Sequence, residues 1–187
     1  MNTYTIQQSA FAHFLTASVR SAPLWLLVRV FLGYEFLIAG WNKFTNPIWF
    51  GGDAGAALQG FVNGALKKTA EFCANPAACH PDVYGWYASF LQSAVLPNLV
   101  AWSNAVVIGE IAIGLGLIVG LFTRTAAFFA FFMSFTFLLA GTVSENPMLI
   151  MLALGIMLAH RVAGHYGLDR YAKPFIRRIL RLRSALT

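Results

Sequence analysis

Two acidic residues stand where an acidic residue is hardest to keep. Glu35 lies inside the apolar run Leu24–Phe44, and Glu110 lies inside the apolar run Leu99–Phe122. Each run is long enough to cross a bilayer, which takes roughly 17–25 apolar residues. A carboxylate near the middle of such a span costs about 2.5–3.5 kcal/mol, so it turns toward a bundle interior or a wet cavity. The chain has only seven Asp and Glu in all, and two occupy these positions. Such a chain is expected to fold around a polar site set among apolar helices.

Composition extends the same reading. The 187 residues are 58% hydrophobic and 11% charged, whereas a soluble domain carries about 25% charged residues. The length suits one bundle and leaves no room for a second sizeable domain. Four spans can be drawn, over 24–44, 99–122, 125–143 and 147–163, with Pro23 and Pro147 at helix starts, where a missing N–H is harmless. The fold class expected is therefore an all-α integral membrane protein. It has a four-helix transmembrane bundle, an extracytoplasmic helical cap over 45–97, and a basic amphipathic C-terminal helix within the tail 164–187.

Charge sets the expected topology. Arg20, Arg124 and the seven basic residues between Arg161 and Arg183 share one side. The positive-inside rule then places both termini in the cytoplasm of a bacterial inner-membrane protein. Trp25, Trp41, Trp49 and Trp102 fall near span ends, as an aromatic belt requires. No cleavable signal peptide is visible, because the first 22 residues lack a long apolar core. The net charge of +6 reads as a tail on anionic lipid, without nucleic acid as a partner. In that tail Ile176, Ile179, Leu180 and Leu186 recur near helical spacing among arginines. Such a segment lies on the membrane surface, docks a partner or pairs with its copy in a homodimer.

Helical spacing sorts the remaining polar groups. Arg29, Gly33, Phe36, Gly40 and Lys43 fall on one stripe of the first span, and Glu35 and Asn42 on a neighbouring one. Gly109, Gly114, Gly116 and Gly120 make the second span a close-packing seam with Glu110 set into it. Arg29 needs a buried partner, for which Glu110 and Glu35 are the candidates; Lys43 is placed to snorkel to the outer interface. The bland alternative is a structural ion pair that locks the bundle. His165 and Asp169 read as a solvent-side pair, and His160 as an interfacial group. The two cysteines, Cys73 and Cys79, lie in the outer loop, where an oxidising exterior allows a structural disulfide. A redox pair and two free thiols are the other readings; there is no Cys-x-x-Cys. Neither haem nor a metal is expected, since no facing histidines or zinc spacing occur.

Several motifs together resemble a known family. The stretch Arg29-Val-Phe-Leu-Gly-Tyr-Glu-Phe-Leu-Ile-Ala-Gly-Trp-Asn-Lys-Phe-Thr-Asn-Pro47 is similar to the first-helix signature of the DoxX/DoxD superfamily. Gly109-Glu110 followed by Gly114, Gly116 and Gly120-Leu-Phe-Thr-Arg124 fits the same pattern, as do Asn146-Pro147 and Gly167-Leu-Asp169-Arg170. The large outer loop resembles the DoxD branch, the membrane subunit of thiosulfate:quinone oxidoreductase. That resemblance implies a quinone-linked membrane oxidoreductase subunit that oxidises thiosulfate or a related sulfur anion. Quinone would accept the electrons, and a second redox subunit is a possible partner beside the lipid bilayer. Glu35 and Glu110 would relay protons or bind the quinone head group, with Arg29 orienting them. Asn42, Lys43 and Arg124 would contact the quinone or attract the anion. Two other readings stand beside it: a non-catalytic anchor or assembly subunit, and a small-molecule transporter that uses the same charges.

Overall fold

A computed structural model of the chain describes residues 9–72 and 81–172. Among the described residues all regular structure is helical. The expected disulfide Cys73–Cys79 and the expected amphipathic helix of the basic tail from Lys173 onward lie outside the described residues.

Four apolar helices form the bundle: α2 (Ala22–Phe44), α5 (Leu99–Val119), α6 (Thr123–Leu139) and α7 (Asn146–Leu158). Three shorter helices precede or interrupt them: α1 (Ala10–Ala17), α3 (Ala56–Leu66) and α4 (Gly85–Phe90). Two of the bundle helices, α2 and α5, are long and apolar enough to cross a membrane. At 17 and 13 residues, α6 and α7 sit at and below the usual spanning length. The sequence run 147–163 is thus helical only to Leu158. Beyond it the chain turns back through 159–168 under the end of α5, where Leu168 N–H donates to Val119 O and Asp169 N–H to Gly120 O.

Glycine decides how α2 meets α5. A Cβ on Gly114 would stand 2.7 Å from the backbone nitrogen of Leu37, and one on Gly33 would stand 3.0 Å from Gly114 O. Gly40 faces Ile111 N at 2.9 Å in the same sense. The two backbones therefore approach more closely than any side chain would permit, a packing typical of helices in lipid. Around this seam Leu32, Phe36, Ile113, Leu117, Ala127, Ala130, Ala153 and Ile156 form the buried core. The outer faces are apolar as well: Leu27, Ile108, Phe132 and Met151 are all more than half exposed. Such a surface suits an apolar solvent and would be a large hydrophobic patch in water.

The described parts of the 45–97 segment, 45–72 and 81–97, fold over one end of the bundle as short helices. Leu58, Val62, Val83, Tyr87, Leu91 and Val95 pack on Ala140 in a second core. Tyr87 Oη donates to Thr136 O at 2.9 Å, and Lys68 Nζ to Gly141 O at 2.6 Å, fastening the cap to α6 and its C-terminal turn. α4 runs through a π turn at Leu91–Val95 and a 3₁₀ turn at Leu96–Asn98 into α5. Pro97 lacks the N–H a continuous α-helix would need there. At the N-terminus α1 had no counterpart in the sequence reading. Ser9 caps it, and Trp25 Nε1 holds it by donating to Leu15 O at 2.7 Å.

Candidate functional site

The packed stripe of α2 is the one that helical spacing marks out: Arg29, Gly33, Phe36 and Gly40 are buried and Lys43 is half-buried. A cation stands at each end, 14 residues apart, or about 21 Å along the axis. Each finds its partners at its own end of the bundle.

Arg29 is 1% exposed. Its guanidinium donates to Tyr166 O at 2.6 Å and to Ala163 O at 3.3 Å, with the Asp169 carboxylate supplying the opposing charge. Asp169 is itself 2% exposed and accepts from Phe122 N–H at 2.7 Å and Thr123 N–H at 3.2 Å, capping the start of α6. Two expectations are corrected here. Arg29 does not pair with Glu110 or Glu35: its guanidinium faces Ala163 and Tyr166, whereas both acids line the cavity that Lys43 shares. Asp169 is not a solvent-side partner of His165, because the 159–168 turn folds it inward against two free amides.

At the other end Lys43 Nζ donates to both oxygens of Glu110, each at 2.6 Å. Lys43 does not snorkel outward as expected. Its Nζ lies 5.4 Å from the ring centre of Trp49 and 5.9 Å from that of Phe137, so its charge is held by a carboxylate and two aromatic faces. Glu110 is 2% exposed and sits one turn along α5 from the seam glycine Gly114. A buried carboxylate without an opposite charge would be untenable, and the paired ammonium makes it stable.

This pair forms part of the wall of a cavity of about 180 Å³. Glu35, Ala39 and Lys43 of α2 line it together with Glu110 of α5, Ser134 and Phe137 of α6, and Ser144, Glu145 and Asn146 of the turn into α7. Drug-sized ligands occupy roughly 300–1,000 Å³; this space suits a single ring, a small polar molecule or several waters. Of its acids Glu145 is exposed, Glu35 intermediate and Glu110 buried, so polarity runs from the surface to the ion pair. Among the described residues no three acids, histidines or cysteines converge as metal ligands. A larger apolar groove of about 670 Å³ runs between α5 and α6, past Gly116, Phe122 and Phe129, and carries no titratable side chain.

Residues 24–142 match the family model named DoxX. The chain belongs to the DoxX family. The matched region of this DoxX protein runs from α2 to the end of α6, and so carries Glu35, Lys43, Glu110 and Ser134 but stops just short of Glu145. DoxX proteins are membrane proteins, which agrees with the two long apolar helices. No curated protein and no solved structure matches the chain.

Of the six residues singled out from sequence, the DoxX fold brings Glu35, Glu110 and Lys43 together. It does not bring in Arg29, which faces the far end. Asn42 is exposed and outside the cavity, although it shares a helical stripe with Glu35, because α5 packs on the Gly33–Gly40 side. Arg124 is exposed at the start of α6. Sequence reasoning missed Ser134, Phe137 and Glu145. Ser134 lies in the aromatic run Phe128–Phe137, where its small polar side chain was the one available signal.

Proposed function

We propose that this DoxX protein is the quinone-linked membrane subunit of an oxidoreductase, and that the Lys43–Glu110 cavity receives the quinone head group. The observation that carries this reading is a doubly hydrogen-bonded ion pair, joined by a second carboxylate, at a ring-sized cavity among apolar helices. Two of the three Lys43 N–H groups serve Glu110, which leaves one for a ligand carbonyl. In this reading Glu110 and Glu35 hand on the protons that quinone takes up with its two electrons. Intramembrane ionisable groups of this kind are functional by default.

The same cavity is unsuited to the electron donor. It holds Glu35, Glu110 and Glu145 against the single cation Lys43, so a thiosulfate dianion would meet net repulsion. The donor half-reaction, in which two thiosulfates each lose one electron and join through a new S–S bond, belongs on another surface or a partner subunit. In the same reading all four bundle helices span the membrane, with the cap outside and both termini inside, on the charge bias of Arg20, Arg124 and Arg161. The short α6 and α7 span by virtue of the cap and the 159–168 turn, which bury the polar ends.

An anchor subunit is the second reading, because a Lys–Glu pair bridging α2 and α5 is also what a structural lock looks like. One experiment separates them. Protein purified from its membrane is extracted for quinone by mass spectrometry, and thiosulfate-dependent quinone reduction is followed with and without E110Q. Bound quinone, with reduction lost in a folded E110Q, supports the oxidoreductase. Unchanged turnover in E110Q, or no quinone, favours the lock.

A further inference from the structure

Ser134 is 1% exposed, yet its Oγ has no hydrogen-bond partner. That is unusual within this protein. Thr136, two residues later on the same helix, donates to Met133 O at 2.8 Å; Ser103 donates to Trp49 O at 2.6 Å; Ser21 donates to Ser18 O at 2.8 Å. Among the described residues, Ser134 and Thr123 are the buried hydroxyls left unpaired. Thr123 sits beside Asp169 at the far end, whereas Ser134 lines the Lys43–Glu110 cavity. A buried hydroxyl without a partner destabilises a fold, and natural structures seldom retain one without a use.

The other polar groups of the cavity define what Ser134 would meet. Asn146 has one of its two amide N–H groups engaged, donating to Thr142 O at 2.8 Å. The carboxylates accept only, and repel anions. On the two facing helices the side-chain donors left are the third N–H of Lys43, from α2, and the O–H of Ser134, from α6; the turn into α7 adds the exposed Ser144 hydroxyl and the second N–H of Asn146. Two donors from different helices beside three acids select an uncharged oxygen acceptor, a carbonyl, over a sulfur oxyanion. We propose that Ser134 is a specificity-determining residue, whose hydroxyl donates to a carbonyl oxygen of the bound ligand within the Lys43–Glu110 cavity. This rests on the quinone reading above and adds to it the residue that recognises the carbonyl.

The test compares full-length wild-type protein with S134A and S134T in detergent micelles. Binding of a decyl-benzoquinone is titrated by quenching of tryptophan fluorescence, and unfolding is followed without the quinone. S134A is expected to bind about tenfold more weakly, one ligand hydrogen bond having been lost. Its unliganded Tm is expected to rise by about 2–4 °C, since an unsatisfied buried group has been removed. S134T, which keeps the hydroxyl, is expected to bind like wild type. Equal quinone affinity in wild type and S134A overturns the Ser134 assignment and leaves the cavity reading intact. A lowered Tm in S134A shows the hydroxyl serving the fold and also overturns it. Wild-type protein that binds no quinone overturns the quinone reading, and the assignment with it.

Discussion

Lys43 and Glu110, 67 residues apart in sequence, are joined by two hydrogen bonds of 2.6 Å that tie the C-terminal turn of α2 to the middle of α5. The ammonium side chain is 20% exposed and the carboxylate 3%, so the acid is the partner with most to lose. E110Q is expected to lower stability by about 1–3 kcal/mol; residual solvent at Lys43 softens the larger penalty of a fully buried orphan charge. The double variant K43M/E110L is expected to recover most of that loss while losing quinone binding. Thermal unfolding in detergent checks both, and a double variant less stable than either single one would show that the pair's charges are not what sets the loss.

The glycines of this DoxX protein separate by what surrounds them. G114A is expected to destabilise by about 1–3 kcal/mol, because the new methyl meets Leu37 backbone at 2.7 Å and the helices must part. G60A, inside α3, has nothing within 4 Å and is expected to stabilise by about 0.4–1 kcal/mol through helix propensity. Opposite signs in denaturant titrations would bear this out; two similar losses would place a neighbour over α3.

Arg29 holds the 159–168 turn against the end of α5. R29M keeps much of the volume but leaves Ala163 O and Tyr166 O without their donor, and removes the Arg29 charge that faces Asp169. Hydrogen exchange should accelerate at Phe122 and Thr123, whose amides Asp169 accepts, and at residues 163–169, while α2 and the Lys43 end stay protected. Uniform acceleration along the chain would show the two ends to be one cooperative unit.

Topology is open to a direct chemical check. A cysteine introduced at Asp53, in the cap, should react with an impermeant maleimide from outside, and one introduced at Arg124 only after permeabilisation, both in a Cys73→Ser/Cys79→Ser background. In the native chain Cys73 and Cys79 should label only after reduction. Labelling of Arg124→Cys in intact cells would invert the orientation drawn from the positive-inside rule.

The amino-acid sequence alone places the four apolar helices, the buried Glu110 and the stripe Arg29–Gly33–Phe36–Gly40–Lys43. These follow from apolar run length and from a helix's own period, both local properties. It also marks Arg29 as needing a partner, with Glu110 and Glu35 as the candidates, since an unpaired charge among apolar helices is too costly to persist. The tertiary structure decided which partner. Helical period gives the azimuth of a residue on its own helix but not the depth at which a neighbour crosses it. That depth depends on Gly114 seating against Leu37, and it puts Glu110 within reach of Lys43 and leaves Arg29 to Asp169. Helix lengths were likewise overread where apolar residues continue past a break: Gly120 and Phe122 take positive φ and end α5 early, and Ala159 stops α7. Ser134 and Glu145 enter the cavity from α6 and the turn after it, because the cap and the α6–α7 turn bring that end of the bundle over Lys43. No local pattern in a run of phenylalanines or in a four-residue turn encodes that arrangement.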